Sequence, residues 1–344
     1  MFSDRLEPQW LDAFQRVFEL CKVQPGDAVA LLTETQSRPL NAELARLALA
    51  RLGIAACQIT VPTPRQTAPV PIRSTGASQA LHGQAVALAA LQASQMVVDL
   101  TLEGLLHAPQ LPEILSSGAR VLMISNEHPE ALERLVPRAE DEAVVKTAIK
   151  ACKVASTMHV TSVAGTDLTI DLREARVGGV WGWCEKPGMI AHWPGGIVVN
   201  FPRPHSVNGR LVLDVGDVNL TFKRYHESPV SLTIENDFVI AIEGHGTDAE
   251  LMRRYFAAWD DRAAYGVSHV GWGLNPRARY EALTMYDQRD FNGTELRAFA
   301  GNFLYSTGAN EFAQRFTEGH FDLPLRGCTI RLDDQVVVDA GVLR

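Results

Sequence analysis

The chain has 344 residues, of which 46% are hydrophobic and 21% charged, with a formal net charge of −8. That balance is ordinary for a globular domain protein, and the length exceeds what one core usually organises, so two domains are expected. The 32 Lys and Arg residues form no basic run, which argues against a nucleic-acid or anionic-membrane partner.

Trp10, Phe14, Val17, Phe18 and Cys21 share one face of a helix predicted over 9–22. A Pro-Gly-Asp turn at 25–27 leads into a strand over 28–33, followed by a helix over 40–52 that Gly53 stops, and a strand over 54–61. Strand, helix and strand at this spacing imply a right-handed crossover and a parallel sheet. Prolines 62, 64, 69 and 71 make the next segment an extended loop. A helix over 84–93, a strand over 96–100, a helix near Pro112 and a strand over 120–125 continue the pattern. Residues 1–150 therefore read as an open parallel α/β domain. No G-x-G-x-x-G follows the first strand, so no dinucleotide is indicated.

An amphipathic helix over 140–152 connects to a different texture, short strands between Gly and Pro turns. Strands are expected over 155–162, 167–172, 196–201, 211–215, 231–235 and 238–243, with one helix over 248–259. Residues 151–344 thus read as a mostly antiparallel α+β domain. The first ten residues lack a positive segment followed by an apolar core, so no signal peptide is expected. No window is apolar enough to span a membrane. Cys21, Cys57, Cys152, Cys184 and Cys328 are scattered without a C-x-x-C, and a reducing cytoplasm is the expected compartment.

The chemistry concentrates between Gly266 and Arg326. His320 and Asp322 are two residues apart, so in extended backbone both side chains point to one side of the strand. A second imidazole from elsewhere, with His269 the candidate, would complete a 2-His-1-carboxylate face that leaves positions open on a non-haem Fe(II). Spacing alone leaves open the plainer alternative of a buried histidine held by a neighbouring aspartate. Upstream, Trp181, Trp183 and Trp193 surround Glu185 and His192. This cluster reads equally as a binding site for a flat ring, with His192 hydrogen-bonding it, or as a Trp-lined core.

The phrases S-H-V-G-W-G-L-N-P-R-A at 268–278, F-A-G-N-F-L-Y-S-T-G-A-N at 299–310 and H-F-D-L-P-L-R-G-C at 320–328 resemble the 2,5-dihydroxypyridine 5,6-dioxygenase family. L-L-H-A-P around His107, H-W-P-G-G from His192 and L-V-L-D-V-G-D at 211–217 extend the resemblance through most of the chain. That family is similar in fold to aminopeptidase T-like metallopeptidases. The resemblance implies Fe(II) held by His269, His320 and Asp322, with His107 an acid–base or lid residue and His192 a second base. It also implies ring-opening of 2,5-dihydroxypyridine by O2 to N-formylmaleamic acid, in a homo-oligomer. Trp193, Glu185, Arg297, Ser306 and Thr307 are the expected substrate-binding residues, whereas Asn302 is expected to bond a turn.

An aminopeptidase-like metallohydrolase is the alternative. The peptidase phrases carry carboxylates where this chain has Ile197 and His269, and their G-T-x-H reads G-T-E-L-R here. A dinuclear hydrolase needs bridging carboxylates to hold two cations. Two neutral nitrogens and one anion suit a single Fe(II) instead.

Overall fold

The computed structural model describes residues 5–65, 78–288 and 292–344. Helix α1 (Pro8–Leu20) begins with proline in its first turn, where a missing N–H costs nothing, and buries Trp10, Phe14, Val17 and Phe18 as their spacing predicts. Strands β1 (Val29–Glu34), β2 (Cys57–Val61), β3 (Met96–Asp99) and β4 (Arg120–Met123) pair in parallel in the order β2-β1-β3-β4. Helices α2 (Pro39–Arg51), α3 (Ala85–Gln92) and α4 (Leu111–Ser116) lie in the connections. Every residue of β1, β3 and β4 is buried, because separate apolar clusters cover the sheet on its two faces. From residue 66 to 77 the proline-rich loop lies outside the described residues.

After α5 (Pro129–Arg134) and α6 (Ala139–Val154) the chain enters antiparallel structure with β5 (Thr157–Thr161), β6 (Asp167–Asp171) and β7 (Arg176–Val180). It then returns to the first sheet. Strand β8 (Ile190–His192) pairs parallel to β4, Met123 opposite His192. Three residues carry no readable alternation, so this fifth strand was absent from the sequence pattern.

The remaining strands build two more sheets. They are β9 (Ile197–Phe201), β10 (Val207–Leu213), the short pair β11 (Val218–Asn219) and β12 (Arg224–Tyr225), β13 (Val230–Glu235) and β14 (Phe238–Gly244). After α7 (Gly246–Ala258) come β15 (Val267–Gly273), β16 (Phe303–Asn310), β17 (Arg315–Leu325), β18 (Thr329–Leu332), β19 (Gln335–Asp339) and β20 (Val342–Leu343). The short α8 (Ala282–Met285) and α9 (Glu295–Ala298) separate β15 from β16. One sheet runs β14-β13-β10-β6-β5-β18-β19-β20 and the other β17-β16-β15-β9-β7. Both contribute to one apolar core with α6 and α7, from Leu168, Ile170 and Leu232 to Trp272, Tyr305 and Phe321. A parallel α/β sheet followed by a mostly antiparallel α+β unit is the architecture expected. The strand expected from residue 211 starts earlier, at Val207.

Trp193 does not lie against the cavity where the sequence reading put it. It is 1% exposed in the core under the parallel sheet, edge-on to Phe14 with ring centroids 5.1 Å apart. Its Nε1–H donates to the Leu135 carbonyl at 3.0 Å, the partner a buried indole requires. Trp193→Ala is expected to lower the unfolding free energy by about 3–5 kcal/mol in urea titrations. A loss below about 1 kcal/mol would show that the indole is not a core anchor.

Candidate metal centre

The sheet β17-β16-β15-β9-β7 has one face on the core and the other on a cavity, and period-2 alternation sorts its residues. Phe303, Tyr305, Phe321, Leu323 and Leu325 enter the core. Leu304, Ser306, His320 and Asp322 take the opposite face, and cross-strand pairs join Ser306 to Asp322 and Gly308 to His320. Ile197, Val199 and Phe201 on β9 continue that face beside Gly178 and Val180 on β7.

His269 arrives there through a bulge. Val267 pairs with Thr307 and Val270 with Tyr305, so Ser268 and His269 together oppose Ser306. The extra residue lets both Val267 and Val270 stay in the core while His269 faces His320, a use of bulges common beside functional sites. Gly271 permits the packing next to it, since a Cβ there would collide with the Val198 carbonyl of β9.

His269, His320 and Asp322 each offer a ligand atom, and these atoms lie within 4.8 Å of one another. Asp322 Oδ1 is 3.2 Å from His320 Nε2 and 3.7 Å from His269 Nε2. Ligands about 2.1 Å from a cation at right angles to each other would stand roughly 3 Å apart, so the spacing fits one ion. The tautomer of His269 fits as well. The Ser268 hydroxyl donates its one proton to the Ala309 carbonyl and so accepts from His269 Nδ1 at 3.1 Å, which leaves the Nε2 lone pair facing the other two ligands. Burial, the largest influence, lowers His269 to about 4, so the ring is neutral at pH 7 and competent to ligate. Asp322 is the anion of the set. Burial works to raise its carboxyl, but the Arg297 guanidinium, followed by His320, holds it well below the usual range. Its Oδ2 accepts from Arg297 Nε and its Oδ1 from the Ser306 hydroxyl.

A cavity of about 330 Å³ opens in front of the triad, a size suited to a small ligand. The sheet supplies an apolar wall, the parallel half adds Glu103, Leu106 and His107 beyond β3 and His192 on β8, and Asn292, Thr294 and Arg297 line it from the segment around α9. The His107 ring lies 4.7 Å from that of His320 and 6.2 Å from that of His269, centroid to centroid. Its Nε2 is buried with no hydrogen-bond partner among the described residues, the kind of orphan that a bound ligand satisfies. Burial, reinforced by the neighbouring histidines, holds His107 well below the usual imidazole range. His192 Nδ1 lies 2.5 Å from the Pro194 carbonyl. A carbonyl only accepts, so Nδ1 carries the proton and Nε2 keeps its lone pair.

The other expected residues divide. Arg297 lines the cavity. Ser306 turns its hydroxyl to Asp322, so it contacts the carboxylate rather than the open space. Thr307 faces the other side of β16, its buried Oγ1 without a partner among the described residues. Glu185 is partly exposed and, like Trp193, is not among the cavity-lining residues. Asn302 bonds the Arg297 and Phe299 carbonyls, the turn role expected. Sequence reasoning missed Ser268, Glu103 and Asn292. Only Ser268 carried a signal, its place beside His269.

Ser306→Ala is expected to weaken divalent-metal affinity by about 10- to 100-fold in chelator competition, and unchanged affinity would detach the hydroxyl from the centre. His192 makes a second prediction. Burial lowers it to about 4, against its bond to Pro194, which raises it. A depressed imidazole contributes stability that is whole above pH 6.5 and is lost as the pH falls from 6.5 through 4. In denaturant titrations the wild type should lose up to about 3 kcal/mol across that window relative to His192→Asn. Parallel pH profiles would refute the neutral, buried state.

A family model described as NicX, 2,5-dihydroxypyridine 5,6-dioxygenase, matches residues 9–344. A curated 2,5-dihydroxypyridine 5,6-dioxygenase of Pseudomonas putida KT2440 is 38% identical over 337 residues, which are 97% of this chain and 95% of that protein. The solved structure of 2,5-dihydroxypyridine dioxygenase from Pseudomonas putida KT2440 superposes with a TM-score of 0.91 at 36% identity, covering 99% of this chain and 98% of that one. Wild-type AmpT from Thermus thermophilus shares the fold, with a TM-score of 0.64 at 14% identity over 97% and 98% of the two chains. This chain belongs to the 2,5-dihydroxypyridine 5,6-dioxygenase family.

Proposed function

We propose that the protein is a mononuclear non-haem Fe(II) dioxygenase of extradiol type that opens 2,5-dihydroxypyridine between C5 and C6, giving N-formylmaleamic acid with both oxygen atoms of O2 retained. The observation that carries this reading is the buried His269–His320–Asp322 triad on a small, mainly apolar cavity, with the His107 ring 4.7 Å from that of His320 and its Nε2 buried without a partner among the described residues. Iron held by that triad would supply adjacent sites for a ring oxygen and O2 and a path for electrons between them.

The chain's own residues do the rest. Val199, Ile197 and Leu304 form a flat apolar wall suited to one face of a heteroaromatic ring and exclude water from it. Arg297 adds a fixed positive charge beside the triad, so a deprotonated ring hydroxyl binds with its charge compensated. His107 and His192 are neutral at pH 7 and each keeps an acceptor nitrogen, so either can take the hydroxyl proton as the ring binds. His107, over the triad, is the general base in this reading, and His192 holds a ring nitrogen or the second hydroxyl. Arg297 and Asn292 line the same end of the cavity and orient the ring's polar edge.

We read residues 1–150 as the unit that contributes the loop over the cavity and 151–344 as the unit that holds the metal, in a cytoplasmic homo-oligomer. No helix among the described residues is long and apolar enough to cross a membrane. Against a dinuclear hydrolase, Ile197 presents an apolar side chain to the cavity, and no other cluster of three or more metal-binding side chains occurs among the described residues.

Protein loaded anaerobically with Fe(II) is expected to consume one O2 per 2,5-dihydroxypyridine, with loss of the ring's ultraviolet absorbance. Uptake should vanish in His320→Ala and Asp322→Ala. His107→Ala should keep its iron and lose about 10²- to 10⁴-fold in kcat. Two tightly bound metals and peptide hydrolysis without O2 uptake would overturn the reading.

A further inference from the structure

Among the described residues no hydrogen bond from His107 Nε2 holds its ring beside the triad, so its position depends on the loop that carries it. That loop is organised by one buried carboxylate, at the carboxyl end of β3. Asp99 is fully buried. Its Oδ1 accepts from the Thr101 backbone N–H at 3.0 Å and from the Thr101 hydroxyl at 2.6 Å. Its Oδ2 accepts from the Leu105 N–H at 2.7 Å. The Thr101 hydroxyl in turn accepts from the Gly104 N–H at 3.1 Å. Donors from Thr101 and Leu105 thereby meet on Asp99, Gly104 is tied in through the Thr101 hydroxyl, and Leu105 lies two positions before His107.

Sterics close the same loop from the other side. Gly104 has a φ of +77°, and a Cβ there would collide with the Met123 side chain and crowd the Ser125 hydroxyl, so the loop lies directly on the end of β4. Met123 itself lines the cavity. Glu103, Leu106 and His107, the cavity residues of this segment, therefore stand on a backbone whose conformation Asp99 specifies.

We infer that Asp99 is a positioning residue, which pins the 101–105 turn so that His107 Nε2 faces the metal triad and the substrate bound there. This rests on the reading of His107 given above. Stability alone is a poor reason for the residue. Burial raises its carboxyl to about 6 even against the three donors, whereas an apolar residue would carry no such burden. Only a carboxylate accepts on both oxygens. With Asp99→Asn, the new amide N–H₂ would meet either the Leu105 N–H or Thr101 as a second donor.

The test is a double-mutant cycle on the Fe(II)-loaded, full-length protein. Asp99→Asn is expected to lower kcat about 10- to 100-fold, with iron affinity unchanged and KM moved less than about threefold. In the His107→Ala background it should cause no further loss, because the residue acts through His107. Losses that multiply, or a loss that tracks missing iron, would overturn the inference. If Asp99→Asn fails to fold, Thr101→Val removes one donor to Asp99 and the acceptor for Gly104, and the same non-additivity is expected at smaller amplitude. Amide hydrogen exchange over residues 99–108 reads the pinning without any turnover. Faster exchange at Thr101 and Leu105, with the triad strands unchanged, is expected in either variant. Unchanged exchange there would sink the inference, whereas faster exchange in a protein that shows no O2 uptake would sink only the proposed reaction.

Discussion

The structure turns on the carboxylate of Asp322. It is an anion in a site where burial alone would neutralise it, and it stays ionised because cationic and hydrogen-bonding partners surround it. Arg297 takes one oxygen and Ser306 the other, while the two imidazoles stand 3.2 and 3.7 Å from Oδ1. A buried charge that lost one such partner would be left uncompensated at a cost of several kcal/mol. The arrangement therefore constrains three strands and α9 at once. β17 supplies Asp322 and His320, β16 supplies Ser306, β15 must bulge to bring His269, and α9 must sit where Arg297 reaches in.

The sheet meets this constraint by keeping its two faces chemically separate. On one, Phe303, Tyr305, Phe321 and Leu323 pack into a core continuous with α6, α7 and the larger sheet. On the other, Leu304, Ser306, His320 and Asp322 alternate with them along the same strands. A register slip of one residue in β17 would put His320 and Asp322 into that core and Phe321 into the cavity. The packing of the core face thus fixes the register on which the ligand geometry depends.

Much of this was legible in the sequence, for a physical reason. The His320–Asp322 pair shows a period of two, and the helix α1 stripe a period near 3.6, both local signals. The parallel pairing of the first strands followed from alternation of strand and helix. What was illegible depends on contacts between distant segments. β8 joins the first sheet through three residues after an excursion through β5, β6 and β7, and nothing local marks it. Trp193 follows His192 directly, yet the two have opposite fates, one in the core and the other in the cavity. A tryptophan cluster beside a histidine reads the same in either case. Asp99 is a single aspartate at a strand end, and its role exists only through the donors that the folded loop turns toward it.

The division between sheet and loop has a chemical logic. Metal ligands must keep their mutual distances to within a few tenths of an ångström, and strands packed on a continuous core supply that rigidity. The base proposed at His107 has a different task, since it would have to approach a ring that enters and leaves, so a loop on a strand end is the suitable carrier. A free loop, however, would spread His107 over many positions and lose the advantage of proximity. Anchoring its stem through one buried carboxylate resolves the conflict. The turn is fixed where it leaves the sheet, while the residues beyond it stay at the edge of the cavity. The neutral state of His107, His192 and His269 belongs to the same logic, because burial removes their charge and leaves acceptor nitrogens, which the proposed binding of ring hydroxyls requires.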